Sequence, residues 1–259
     1  MAAFNEISPA NLMRLIGTPQ CPVLIDVCID ADFNDAPYLV PTATRWKHGD
    51  IDGITAHLKG KDAVIICQKG QKLSHGVAAR LSSLNINAQV LAGGNIAWSA
   101  AQLPRIPATK IPGSLWVTRH RPKIDRIACP WLIRRFIDPK ATFMFVPPAQ
   151  VIDVADRFDA TPFDVADTFW GHRSDRCIFD TILDECALRS LALDTLATVV
   201  RAADTNKHDI APQAAGLLAI SVGLSRMYKR DDAQLDAGMA IYDALYRWAR
   251  DGQGEDHDS

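Results

Sequence analysis

Three short apolar runs, Pro22–Val27, Asp62–Cys67 and Ala88–Leu91, alternate with stretches of helical spacing, and this alternation constrains the fold most. Runs of four to six residues with no polar face are too short for buried helices. They read as strands covered on both sides. The helical stretches between them are long enough to carry the chain back across a sheet, which requires parallel strands. The first half therefore reads as α/β, a parallel sheet flanked by helices.

The flanking signals fit that reading. Ser8 can cap a helix that opens on Pro9, with Leu12, Leu15 and Ile16 on its apolar face. Tyr38–Thr42 is a weaker strand, while Asp50–Leu58, Leu73–Leu84 and Asn95–Ala101 read as helices, the last after a Gly93-Gly94 turn. Three prolines and a closing glycine between Leu103 and Gly113 read as a stiff linker, giving a first domain over 1–103 and a linker over 104–113. Beyond it, Ser114–Thr118 and Thr142–Val146 are strand candidates around a helix over Pro130–Ile137. Apolar residues then step at helical intervals through Leu193-Leu196-Val200-Ala203, Leu217-Ile220-Leu224-Met227 and Leu235-Met239-Tyr242-Leu245. The second domain, 114–250, is thus a mainly helical α+β unit, and 251–259 an acidic tail.

Composition bounds the setting. A formal net charge of −2 over 259 residues offers no global attraction to nucleic acid or acidic lipid. No apolar stretch reaches the roughly 18 residues of a membrane span, and residues 1–6 have no basic or apolar leader pattern. Six cysteines without a CxxC pair read as reduced thiols, so the expected location is the cytoplasm.

The sharpest local feature is Ile65-Ile66-Cys67-Gln68-Lys69-Gly70-Gln71-Lys72-Leu73-Ser74-His75. A strand delivers Cys67 to its C-terminal end, a glycine loop follows, and a helix begins. In an open parallel sheet that edge is where ligands bind. Loop N–H groups, the positive helix end, Lys69 and Lys72 should all favour thiolate, the nucleophilic form. Cys21 and Cys28 read as packed thiols, with a resolving role as the alternative. Cys129 reads as a buried thiol rather than a second nucleophile, and His75 as a surface histidine, with donation to substrate as the alternative.

Residues 5–103 resemble a single-domain rhodanese, a sulfurtransferase. The match comprises Leu24-Ile25-Asp26-Val27, the Cys67–Lys72 loop, Ala79-Arg80-Leu81, and Leu91-Ala92-Gly93-Gly94-Asn95-Ile96-Ala97-Trp98. The resemblance implies that Cys67 carries sulfane sulfur as a persulfide, held by the amides of Gln68, Lys69, Gly70, Gln71, Lys72 and Leu73. A small anionic donor supplies the sulfur, a thiol or cyanide removes it, and no cofactor is required. Two departures bear on substrate preference: Cys28 stands where arginine is common, and Arg45-Trp46-Lys47-His48 replaces a glycine- and proline-containing segment.

Residues 119–135 carry six basic side chains against one acid, Asp125. Arg119, Lys123 and Arg126 are candidate oxyanion ligands. With only Trp131 among them, a nucleic-acid stacking platform is a poor fit. His172, Cys177, Asp180 and Asp204 are candidate ligands of a divalent metal, zinc or iron by their donor types. Asp204 falls near the C-terminus of its helix, where a negative charge is unfavourable. A cation would offset it, and so would Arg201 one turn earlier.

Trp116–Asp138, together with His172–Asp180, Val200–Thr205 and Ala211–Ser225, resembles the C-terminal domain family of the chromate-resistance protein ChrB. That resemblance implies a part in bacterial chromate resistance, without the family's usual N-terminal domain. The combined expectation is a two-domain sulfurtransferase acting at Cys67. The competing ones are a non-catalytic regulator that binds chromate or another oxyanion, and a metal-dependent second domain.

Overall fold

The computed structural model describes residues 5–255, which form two compact units. The first takes the chain through Lys110 together with Arg135–Ile137, and the second the remainder.

The first unit opens with β1 (Glu6–Ile7) and α1 (Pro9–Leu15), whose first turn is capped by the Ser8 hydroxyl accepting from Asn11 N–H. Next come β2 (Val23–Asp26), α2 (Asp30–Asp35), β3 (Tyr38–Leu39), β4 (Thr44–Arg45) and α3 (Ile51–Leu58). The chain then returns through β5 (Ala63–Ile66), α4 (Lys72–Ser82), β6 (Ala88–Leu91), α5 (Gly94–Ala100) and β7 (Ile106–Pro107). Five strands pair in parallel in the order β1-β6-β5-β2-β4. All four residues of β5 are buried, as an apolar run in the middle of a covered sheet requires. From β2 the chain adds β4 on one side, and from β5 it adds β6 on the other. The strand order therefore reverses between β2 and β5, and the C-terminal ends of strands at such a switch point are where open α/β sheets bind ligands.

Two expectations need correction here. Tyr38–Leu39 does not join the parallel sheet but pairs antiparallel with Ile106–Pro107. Residues 104–110 are consequently not a free linker: Trp98 Nε1 donates to the Pro104 carbonyl, and the unit ends at Lys110 rather than at 103. Proline content describes the stiffness of that segment and is silent on whether a strand edge takes it up.

The second unit contains β8 (Leu115–Arg119), α6 (Asp125–Leu132), β9 (Thr142–Val146), α7 (Val151–Phe158) and β10 (Thr161–Pro162). It continues with α8 (Ile178–Glu185), α9 (Leu191–Asp204), α10 (Gln213–Met227) and α11 (Asp231–Asp251). Its sheet is parallel in the order β10-β8-β9. Trp131 centres the helical core, stacked 6.4 Å from Phe179 and tilted on Tyr246 at 5.6 Å. The helix that carries it starts at Asp125, five residues before Pro130, and a π-helical turn over Ile133–Ile137 follows. Pro130 thus sits inside the helix, where it leaves one carbonyl without a donor. Helix α11 runs through Asp251, and residues 256–259 of the expected acidic tail lie outside the described residues. Among the described residues no helix is long and apolar enough to cross a membrane, and all six cysteines are free thiols.

Candidate active site

Cys67 directly follows β5, at the C-terminal edge of the sheet beside the switch point, and is 5% exposed. Its sulfur accepts the Gln71 backbone N–H at 3.4 Å and lies 3.1 Å from the Ser74 hydroxyl. Burial pushes the thiol up, but the Ser74 hydroxyl and the N–H groups of Gln71, Ser74 and Lys69 more than offset it. The thiol ionises below the ordinary cysteine value of 9.0. Main-chain dipoles and one hydroxyl do this work. The Lys69 and Lys72 residues themselves are exposed.

The loop is shaped from beneath by glycines. Gly70, Gly93 and Gly94 all take positive φ, at 61°, 69° and 60°. A β-carbon on Gly94 would stand 2.0 Å from the Cys67 carbonyl oxygen, and one on Gly70 would stand 2.7 Å from the Gly93 nitrogen. This close approach lets Asn95 N–H reach the Cys67 carbonyl and Ile96 N–H the Gln68 carbonyl, each at 3.1 Å. Of the residues expected to cradle the sulfur, Lys69 and Gln71 direct N–H groups at it. Ser74 was not among them, since a serine in a first helical turn reads as a capping or surface residue. Removing its hydroxyl by Ser74→Ala should raise the Cys67 pKa, and iodoacetamide should then alkylate that thiol severalfold more slowly at pH 7 than in wild type.

Cys28 lies two residues beyond the neighbouring strand β2 and is held differently. Its sulfur accepts from Asn95 Nδ2 at 3.3 Å, and Asp26 accepts from the Cys28 N–H at 2.8 Å and from Asn95 at 3.0 Å. Burial, with the Asp26 carboxylate beside it, pushes the Cys28 thiol far up. Cys21 is pushed up to about 11, and burial raises Cys129 too. His75 Nε2 pairs with Glu6 at 3.3 Å.

The second unit gathers a different set of groups. His172 Nε2 faces Asp164 Oδ1 at 3.3 Å, Asp204 Oδ2 at 3.5 Å and Asp125 Oδ2 at 3.7 Å. Asp125 is placed by a strained turn: Ile124 takes φ 41°, which a β-branched residue rarely tolerates. Ser221 accepts from the Ile124 N–H, Tyr242 donates to its carbonyl, and Gln234 donates to the Pro122 carbonyl, so the surroundings hold the turn. Burial and the Asp204 and Asp164 carboxylates hold Asp125 well above the usual range, and burial with Asp164 raises Asp204. The hydrogen bond to Asp164 raises His172, helped by the other two acids. Asp164 itself is lowered: burial is outweighed by His172, Arg119 and Arg126, the arginines lying 2.8 and 3.1 Å away.

Residues 116–249 match the model of the ChrB C-terminal domain. The chain belongs to the ChrB C-terminal domain family. Protein ChrB of Cupriavidus metallidurans is 35% identical over 148 residues, 57% of this chain and 44% of that protein, so the chain spans less than half of the relative's length. Solved structures similar to part of the chain include a rhodanese-related protein of Thermoplasma volcanium and a thiosulfate sulfurtransferase of Pseudomonas aeruginosa. The first is 18% identical, with TM-score 0.35, over 40% of this chain and 98% of its own. The second is 24% identical, with TM-score 0.33, over 39% of this chain and 19% of its own. Scores this low carry no weight, and the chemistry open to the first unit follows from its own geometry.

Within the ChrB domain the expected four-ligand metal set divides. His172 and Asp204 come together, joined by Asp125, which reads in sequence as a lone acid in a basic run. Cys177 and Asp180 form a separate, fully buried pair in which the thiol donates to Asp180 Oδ2 at 3.6 Å. Arg201 holds both Asp180 oxygens at 2.9 Å, with Arg176 and Arg189 at 3.4 and 3.5 Å. The Asp180 carboxylate is thus the centre of an arginine network, and burial pushes the Cys177 thiol far up. Arg201 pairs with Asp180 and leaves Asp204 to His172. The oxyanion candidates also separate: Arg119 and Arg126 pair with Asp164, and Lys123 is exposed.

Proposed function

We propose that this protein is a sulfurtransferase that carries sulfane sulfur on Cys67, with its ChrB domain tying that chemistry to chromate resistance. The observation that carries the reading is the Cys67 sulfur itself, set at the switch point of a parallel sheet among N–H donors and the Ser74 hydroxyl. A persulfide needs this environment, because its terminal sulfur keeps a full negative charge once formed.

Two balanced steps follow. The Cys67 thiolate attacks the outer sulfur of thiosulfate; the S–S bond to the sulfonate sulfur breaks, and sulfite leaves with its electron pair. The resulting Cys67 persulfide anion gives its terminal sulfur to cyanide or a thiol. With cyanide, thiocyanate departs and the thiolate is restored. The chain's own groups do the catalytic work: the amides of Lys69 and Gln71 and the Ser74 hydroxyl hold the anionic sulfur, and Gly70 and Gly94 let the loop lie flat enough to aim them. No cofactor enters either step. The test is thiocyanate formation from thiosulfate and cyanide by the full chain. Turnover well above the protein-free rate supports the reading, and a rate equal to it contradicts it.

A further inference from the structure

We propose that Asp125, His172 and Asp204 form a binding site for one divalent first-row transition cation. Each offers a donor atom within 4.8 Å of the others, from three separate places: the first turn of α6, the loop before α8 and the last residue of α9. Two donors on a tetrahedral ion, each about 2.1 Å from it, lie about 3.4 Å apart. The His172 nitrogen stands 3.5 Å from Asp204 and 3.7 Å from Asp125, close to that edge length before any ion draws them in.

A second observation points the same way. Asp125 is 1% exposed, its Oδ2 accepts from Ile178 N–H and faces His172, and its Oδ1 has no hydrogen-bond partner. A buried carboxylate oxygen without a donor is costly, and a cation held by both oxygens of Asp125 removes that cost. Arg119 and Arg126 both pair with Asp164, which leaves His172 as the ion-pair partner that Asp125 and Asp204 share. Asp204 also ends its helix, where carbonyl dipoles repel a carboxylate and favour a positive ion. One imidazole and two carboxylates, with no thiolate, suit manganese, iron or zinc. Three protein donors leave a position open, and the His172 side chain, 42% exposed, puts that position within reach of solvent.

The test uses the full chain, stripped with chelator and titrated calorimetrically with MnCl2 and then ZnCl2. Manganese is the main probe because thiols bind it weakly, so the six free cysteines do not compete. One Mn2+ per chain is expected. His172→Ala and Asp204→Asn, at positions that reach solvent, should each weaken it at least about 30-fold. Thermal unfolding gives a second readout: Mn2+ should raise Tm of wild type and not of either variant, with circular dichroism verifying that both are folded. Absence of stoichiometric binding by both metals overturns the site, as does full retention of binding in both variants. Cys67→Ala should bind the ion like wild type, so failure here leaves the sulfur chemistry standing, and the converse also holds.

Discussion

Cys67→Ala should reduce thiocyanate formation to the protein-free rate, a loss of at least about 10³-fold, while leaving the protein folded. The loss follows from removing the only atom that bonds to the transferred sulfur. The fold should persist because little else depends on the thiol. Ser74 keeps its hydroxyl hydrogen bond to the Gln71 carbonyl at 3.0 Å, while the N–H groups of Gln71, Ser74 and Lys69 lose the sulfur as an acceptor. That change costs about 1–3 kcal/mol. Cys28 cannot substitute at neutral pH, since burial and the Asp26 carboxylate keep its thiol protonated. Equal turnover in wild type and variant would remove Cys67 from the mechanism and favour the regulator reading, in which an oxyanion binds without sulfur transfer.

The second large effect concerns stability. Arg201→Ala should lower the stability of the ChrB domain by about 3 kcal/mol, roughly 10 °C in Tm. Asp180 is fully buried, and Arg201 is the one guanidinium at 2.9 Å from both of its oxygens. Deleting it leaves a buried carboxylate to Arg176 and Arg189, at 3.4 and 3.5 Å and each partly exposed. Those two limit the cost to the lower end of what an orphaned buried charge brings. A change in Tm of under about 2 °C by calorimetry would mean that the network is already solvated and contributes little.

What could be read in advance divides along physical lines. The parallel sheet was legible because β5 is an unbroken apolar run of four buried residues, and α4 has an unmistakable helical face. The Cys67 loop was legible because Gly70 and Gly93-Gly94 mark backbone that side chains would block. Ser74 was not, because its role depends on the first turn of α4 folding back beneath the sulfur. Asp125 was hidden twice: by its basic neighbours, and by Pro130, which drew the predicted helix start past it. Asp164 lies in a loop with no periodicity, and only the tertiary fold brings it to Arg119 and Arg126. Cys177 and Asp180 misled in the opposite way. Their three-residue spacing at the start of α8 makes them neighbours wherever His172 lies. Local pattern predicts contacts within an element and is silent on which elements converge.

The central claim is that the Cys67 sulfur is reactive enough to take up and hold another sulfur. Mass spectrometry of the full chain after brief exposure to thiosulfate, followed by peptide mapping, tests it most directly. The peptide containing Cys67 should gain one sulfur atom, about 32 Da, and lose it on adding cyanide. An unchanged mass on that peptide, or a gain on the Cys28 peptide instead, would contradict the account.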